Sequence, residues 1–107
     1  MDLNSHQEWL ADFYHQRGWD TYSPQIGINF MTEEVGELSR AVRTMEIGRD
    51  HPGERKASDA KMMANLREEM ADVLDQVLFC ASKYGVRADE LLRGSEEKLT
   101  KRFEGRD

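Results

Sequence analysis

Four carboxylates in two pairs stand out in this chain: Glu34 with Glu37, and Glu69 with Asp72. Members of each pair are three positions apart, which on a helix puts both side chains on one face, a turn from each other. If two helices bearing such pairs pack as an antiparallel hairpin, four oxygen donors surround one pocket. Two like charges about 4 Å apart repel by roughly 4 kcal/mol at an effective dielectric of 20. Several such pairs rival the net stability of a whole domain, about 5–15 kcal/mol. The carboxylates are therefore either solvated and well separated, or compensated by protons or a hard cation. Oxygen-only ligation, without paired histidine or cysteine, favours magnesium or manganese over zinc. Spacing alone leaves both outcomes open, because glutamate is a good helix former and many acidic helical faces are merely solvated.

Other chemistries find little support. His6, His15 and His51 have no metal-ligand spacing and read as structural or exposed. No phosphate-cradling Walker sequence and no dinucleotide glycine fingerprint occurs, so any phosphate must be held through metal and basic side chains. Cys80, the lone cysteine, cannot form an internal disulfide, and its apolar neighbours Phe79 and Ala81 suggest a buried core position.

The elements that must position the carboxylates are helices. Apolar residues recur at three- and four-residue spacing, and no segment alternates long enough to argue for a sheet, so the expected class is all-α. A first helix is expected from Asn4 or Ser5, either of which can cap it, to Gly18. Trp19 and Tyr22 then fall in a connection. Ser23-Pro24 reads as a cap with proline in the first turn, and a long helix should follow to Ile47, stopped by Gly48. The polar, glycine- and proline-broken stretch from Gly48 to Asp59 reads as a mobile loop. A second long helix is expected from Ala60 to Tyr84, stopped by Gly85. A final amphipathic segment should begin near Asp89 with Leu91, Leu92, Leu99 and Phe103 as its apolar positions, interrupted at Gly94.

On the first long helix Met31, Val35, Leu38, Val42 and Met45 alternate steps of four and three, the mark of a packing seam. At 100° per residue Glu34 falls between Met45 and Ala41, so the acidic pair points toward the edge of the core. Glu69 likewise lies beside the Leu66, Val73 and Tyr84 stripe. Asp75 projects elsewhere and reads as a solvent-facing residue.

With 107 residues there is room for one domain, spanning 1–107, and a chain this short leaves apolar surface exposed unless it associates. A homo-oligomer is expected. The formal net charge of −6 leaves no broad basic surface to neutralise a nucleic-acid backbone, which argues against polymeric DNA or RNA as partner. Neither a basic-then-apolar leader nor a membrane-length apolar run is found, and a cytoplasmic protein that does not engage membranes is expected.

The string Thr32-Glu33-Glu34-Val35-Gly36-Glu37-Leu38, followed by Glu68-Glu69-Met70-Ala71-Asp72-Val73-Leu74, resembles the MazG-like all-α NTP pyrophosphohydrolases, whose signature is EExxE followed by ExxD. The resemblance runs from about Trp19 to Phe103. It implies Mg2+ bound by Glu34, Glu37, Glu69 and Asp72, with Mn2+ as a substitute, and Glu33 as the base that activates water. It further implies that Lys98 and Arg102 contact substrate phosphates, although an ordinary helix end carries such residues equally well, and that Trp19 lines a base pocket, although core packing suits Trp19 somewhat better. The expected activity is hydrolysis of a nucleoside triphosphate to the monophosphate and pyrophosphate, in a dimer or tetramer, with nucleotide-pool cleaning as its role. The rival reading is a non-enzymatic helical interaction module with a solvated acidic face. A ferritin-like metal bundle would want Glu-x-x-His pairs, and none occurs.

Overall fold

The computed structural model describes residues 1–104; the last three residues of the expected 1–107 domain lie outside the described residues. Their regular structure is helical: α1 (Leu3–Arg17), a 3-10 turn (Trp19–Thr21), α2 (Pro24–Ile47), α3 (Asp59–Lys83) and α4 (Ala88–Arg102). Contacts gather the chain into two compact units. One is Ser23–Val77, and the other joins Met1–Tyr22 to the chain from Leu78 onward, so α3 contributes to both.

In the unit Ser23–Val77, the Ser23 hydroxyl accepts the Ile26 N–H (3.3 Å) and Pro24 occupies the first turn, so α2 starts where the Ser-Pro pair indicates. It ends at Gly48, whose φ of +80° suits a residue without a side chain and whose N–H bonds the Thr44 carbonyl at 2.8 Å. Ser58 restarts the helix: its hydroxyl accepts the Lys61 N–H (3.2 Å) and its carbonyl accepts that of Met62 (3.0 Å). Ala41 and Met62 are the buried apolar side chains here. The expected seam is split. Met31, Leu38 and Met45 are half-buried, whereas Val35 and Val42 remain exposed, because successive seven-residue steps on one helix carry two separate rows of apolar side chains.

The loop between α2 and α3, expected to be mobile, is tied at several points. Ala57 N–H donates to the Gly48 carbonyl at 3.1 Å, closing the neck. Asp50 pairs with Arg40 (2.8 Å) and Arg43 (2.5 Å), and the Glu54 carboxylate accepts the amides of Asp50 and His51.

In the other unit, α1 begins earlier than expected because Asp2, rather than Asn4 or Ser5, supplies the cap: its carboxylate accepts the Ser5 N–H at 2.7 Å. Leu10, Leu78, Phe79 and Ala88 form the core, with Leu3 and Tyr14 packed on it. Burying each larger side chain contributes about 1.5–3 kcal/mol. Gln7, buried among them, reaches the carbonyls of Leu78 and Val86 and the hydroxyl of Ser82, while its own carbonyl oxygen accepts the Ala88 N–H at 2.8 Å. Asn4 accepts the next amide, that of Asp89, at 3.0 Å. Two α1 side chains thereby cap α4, which then runs through Gly94 without interruption. Cys80 is half-buried rather than enclosed, and Phe103 lies exposed at the end of α4. Among the described residues no helix is long and apolar enough to cross a membrane.

Candidate active site

The two acidic pairs occupy matching places on either side of one loop. Glu37 lies ten positions before Ile47 and Glu69 ten after Asp59; Glu34 and Asp72 are thirteen positions from the same ends. At 1.5 Å per residue, each matched pair sits about 15 or 20 Å from the loop, which is the register of an antiparallel hairpin. Carboxylate oxygens of Glu34, Glu37 and Glu69 accordingly lie within 4.8 Å of one another. Asp72 is outside that group of three, although its charge is felt at Glu34.

Burial and crowding act on these groups together. Glu34 is pushed above the usual carboxylate range by loss of solvent and then by the charges of Asp72, Glu37 and Glu33. Burial also raises Glu69, followed by the close approach and charge of the Glu37 carboxylate. Asp72 is raised by burial, then by Glu68, Asp75 and Glu37. Asp75, expected to face solvent, is half-buried and near enough to act on Asp72. Glu33 is exposed, and its charge reaches Glu34 from the next position in the chain.

The Oε2 atoms of Glu34 and Glu69 are buried without a hydrogen-bond donor from the described residues. An acceptor deprived of water and of a donor costs about 1–3 kcal/mol, more when charged. A hard cation among these oxygens removes that cost and the mutual repulsion at once, so the donor set fits magnesium or manganese.

A cavity of about 800 Å³ opens beside the acidic group and includes Glu37 and Glu69 in its lining. Its remaining wall is rich in cations, with Arg40 and Lys61 from the helices and Arg49, Arg55 and Lys56 from the loop. These residues were hidden in a stretch whose polarity suggested only mobility; the signal was the concentration of basic side chains between Gly48 and Lys61.

The other expected site residues belong to the second unit. Trp19 is 43% exposed and packs edge-on against Phe13 and Tyr14, with ring centroids 6.1 and 5.4 Å away. Lys98 and Arg102 are exposed on α4. His15 pairs with Asp20 at 2.7 Å, which raises the imidazole above its ordinary value, and His51 lies 3.8 Å from Glu54.

The chain is all-helical among the described residues and gathers carboxylates of α2 and α3 into one cluster that could hold a hard cation. The family model described as the MazG nucleotide pyrophosphohydrolase domain matches residues 23–106, and the chain belongs to that family. It is also 46% identical over 104 residues to the uncharacterized protein YvdC of Bacillus subtilis (strain 168), a match covering 97% of this chain and 98% of that protein.

Proposed function

We propose that this protein hydrolyses a nucleoside triphosphate to the nucleoside monophosphate and pyrophosphate, using Mg2+ held by Glu34, Glu37, Glu69 and Asp72. The observation that carries this reading is the pair of buried, donorless Oε2 atoms on Glu34 and Glu69, lying where the EExxE and ExxD sequences converge. Magnesium or manganese bound there supplies a Lewis acid for the α-phosphate and offsets the charge of the triphosphate. Glu33, exposed beside Glu34, takes the proton from the attacking water. A carboxylate must be ionised to ligate, so cation and proton compete for Glu34 and Glu69, whose carboxyls burial raises. Lys98 and Arg102 are assigned to substrate phosphates and Trp19 to the base on the family resemblance. The role proposed is cleaning of the nucleotide pool in the cytoplasm.

Self-association is part of the proposal. Ile28, Val35 and Val42 follow one another at seven-residue spacing on α2, as Met63, Met70 and Val77 do on α3, and all six are between 36% and 49% exposed. Apolar rows of that period are the seams on which helices of separate chains pack, which supports a homodimer or homotetramer.

The test is a screen of ribo- and deoxyribonucleoside triphosphates with pyrophosphate detection, with magnesium and with chelator. Metal-dependent pyrophosphate release from at least one nucleotide is expected. Absence of release from all of them, with no effect of magnesium on stability, favours the helical interaction module instead.

A further inference from the structure

We propose that the α2–α3 loop and the first turns of α3 form the subsite for the pyrophosphate end of the substrate, with Arg49, Arg55, Lys56 and Lys61 as its cations. This rests on the hydrolysis proposed above and identifies the side chains that receive the leaving group.

All four cations line the cavity that also contains Glu37 and Glu69, so acidic and basic groups share one space. The loop's own acids are already satisfied. Asp50 is held by Arg40 and Arg43, which keep its carboxyl below the usual range, and Glu54 is engaged by the amides of Asp50 and His51. Arg49, Arg55, Lys56 and Lys61 form no ion pair among the described residues, which leaves their charge for a ligand. With Asp50 and Glu54 engaged within the loop, four cations that form no ion pair of their own on one wall of the cavity suit a multiply charged anion.

Placement of Lys56 has a structural cause. Its aliphatic stem lies across Gly48, where an added Cβ would stand 3.0 Å from Cε and 3.2 Å from Cγ. Gly48 therefore serves both the positive φ that ends α2 and the close seating of Lys56 at the loop neck. On α3, Asn65 and Lys61 precede Glu69 by one and two turns, about 6 and 12 Å along the axis. Both line the cavity, so polar and cationic groups lead from the acidic centre toward the loop. Ser58, in the same lining, marks the start of a 25-residue helix whose free amides add positive potential at that end. A metal at the carboxylates and a polyphosphate tail running toward the loop fit this distribution of charge.

The experiment is titration calorimetry of the full chain with inorganic pyrophosphate in magnesium, alongside steady-state nucleotide hydrolysis. Variants are Arg55→Gln with Lys56→Gln, Lys61→Gln alone, and Arg67→Gln on exposed α3 surface outside the cavity as control. Pyrophosphate affinity should fall about tenfold or more in the loop variants, the loss of a charge-assisted hydrogen bond, with raised KM and unchanged Mn2+ affinity and thermal midpoint. Pyrophosphate binding equal to wild type in both loop variants overturns the subsite, even if the wild type cleaves nucleotides. Absence of pyrophosphate binding by the wild type overturns it too. Loop-dependent pyrophosphate binding in a chain that cleaves nothing supports the anion subsite while the hydrolysis reading falls.

Discussion

Glu37 and Glu69 bring carboxylate oxygens within 4.8 Å of each other, each residue ten positions from the helix end that meets the α2–α3 loop. Burial, then the Glu37 carboxylate and the charges of Asp72 and Glu34, raise the Glu69 carboxyl above its ordinary value. The same crowding makes the site a competitor's ground between protons and a divalent cation.

Magnesium should raise the thermal midpoint, because a ligand bound only to the folded state stabilises it by mass action, about 2.7 kcal/mol at a hundredfold excess over Kd. For a domain near this size that is a shift of several degrees. Glu69→Ala should remove most of it. Thermal melts with and without magnesium decide the point, and an equal rise in the variant would exclude Glu69 from the cation's surroundings.

Acid should help the metal-free protein at this site. Folded pKa values of Glu34, Glu69 and Asp72 lie above the ordinary carboxylate range, so folding favours their protonated forms. Their contribution is fully present below the unfolded pKa and is lost as pH rises through the raised folded values. In chelator, the midpoint of the wild type relative to a Glu34→Gln, Glu69→Gln double variant should fall across that window. Saturating magnesium should reverse the trend, since protons then compete with metal. A relative midpoint that climbs with pH in chelator contradicts the raised values.

Glu33→Gln keeps the size and helix propensity of the side chain but cannot accept a proton. Turnover should drop about a hundredfold to ten-thousandfold, while Mn2+ affinity measured by electron paramagnetic resonance stays near wild type. Full activity in the variant would move the base to Glu37 or to a metal-bound hydroxide.

Gln7→Ala should destabilise the unit that contains α1 and α4. The change removes the acceptor of the Ala88 N–H and the donor to the Val86 carbonyl, and each buried group left without a partner costs about 1–3 kcal/mol. A denaturant melt reads the loss, and the magnesium-induced shift should survive it. An unchanged midpoint would mean that water replaces the side chain at little cost.

Local signals made most of the helices legible from the residues. Ser23-Pro24 and Gly48 bound α2 where expected, because cap and stop depend on chemistry within a turn. Asp2 rather than Asn4 or Ser5 caps α1, since all three offer suitable side chains and only the backbone geometry chooses among them. Gly94 did not break α4, where the helix tolerates its modest propensity cost. Helical periodicity put Glu34, Glu37 and Glu69 on converging faces, yet assigned Asp75 to solvent because a single helical wheel omits the neighbours brought by tertiary packing. The basic wall of the cavity is not legible in the sequence for a related reason: loop residues have no period, and Arg49, Arg55 and Lys56 line one cavity only in the folded loop that Asp50 and Gly48 help to fix.

The assigned reaction attacks phosphorus at the α position, with the β- and γ-phosphates leaving together, and isotope placement tests this most directly. Hydrolysis of a nucleoside triphosphate in oxygen-18 water, followed by mass spectrometry of both products, should place the label in the nucleoside monophosphate and leave pyrophosphate unlabelled. Label in pyrophosphate, or orthophosphate as the first product, would contradict the account even with the carboxylate centre intact.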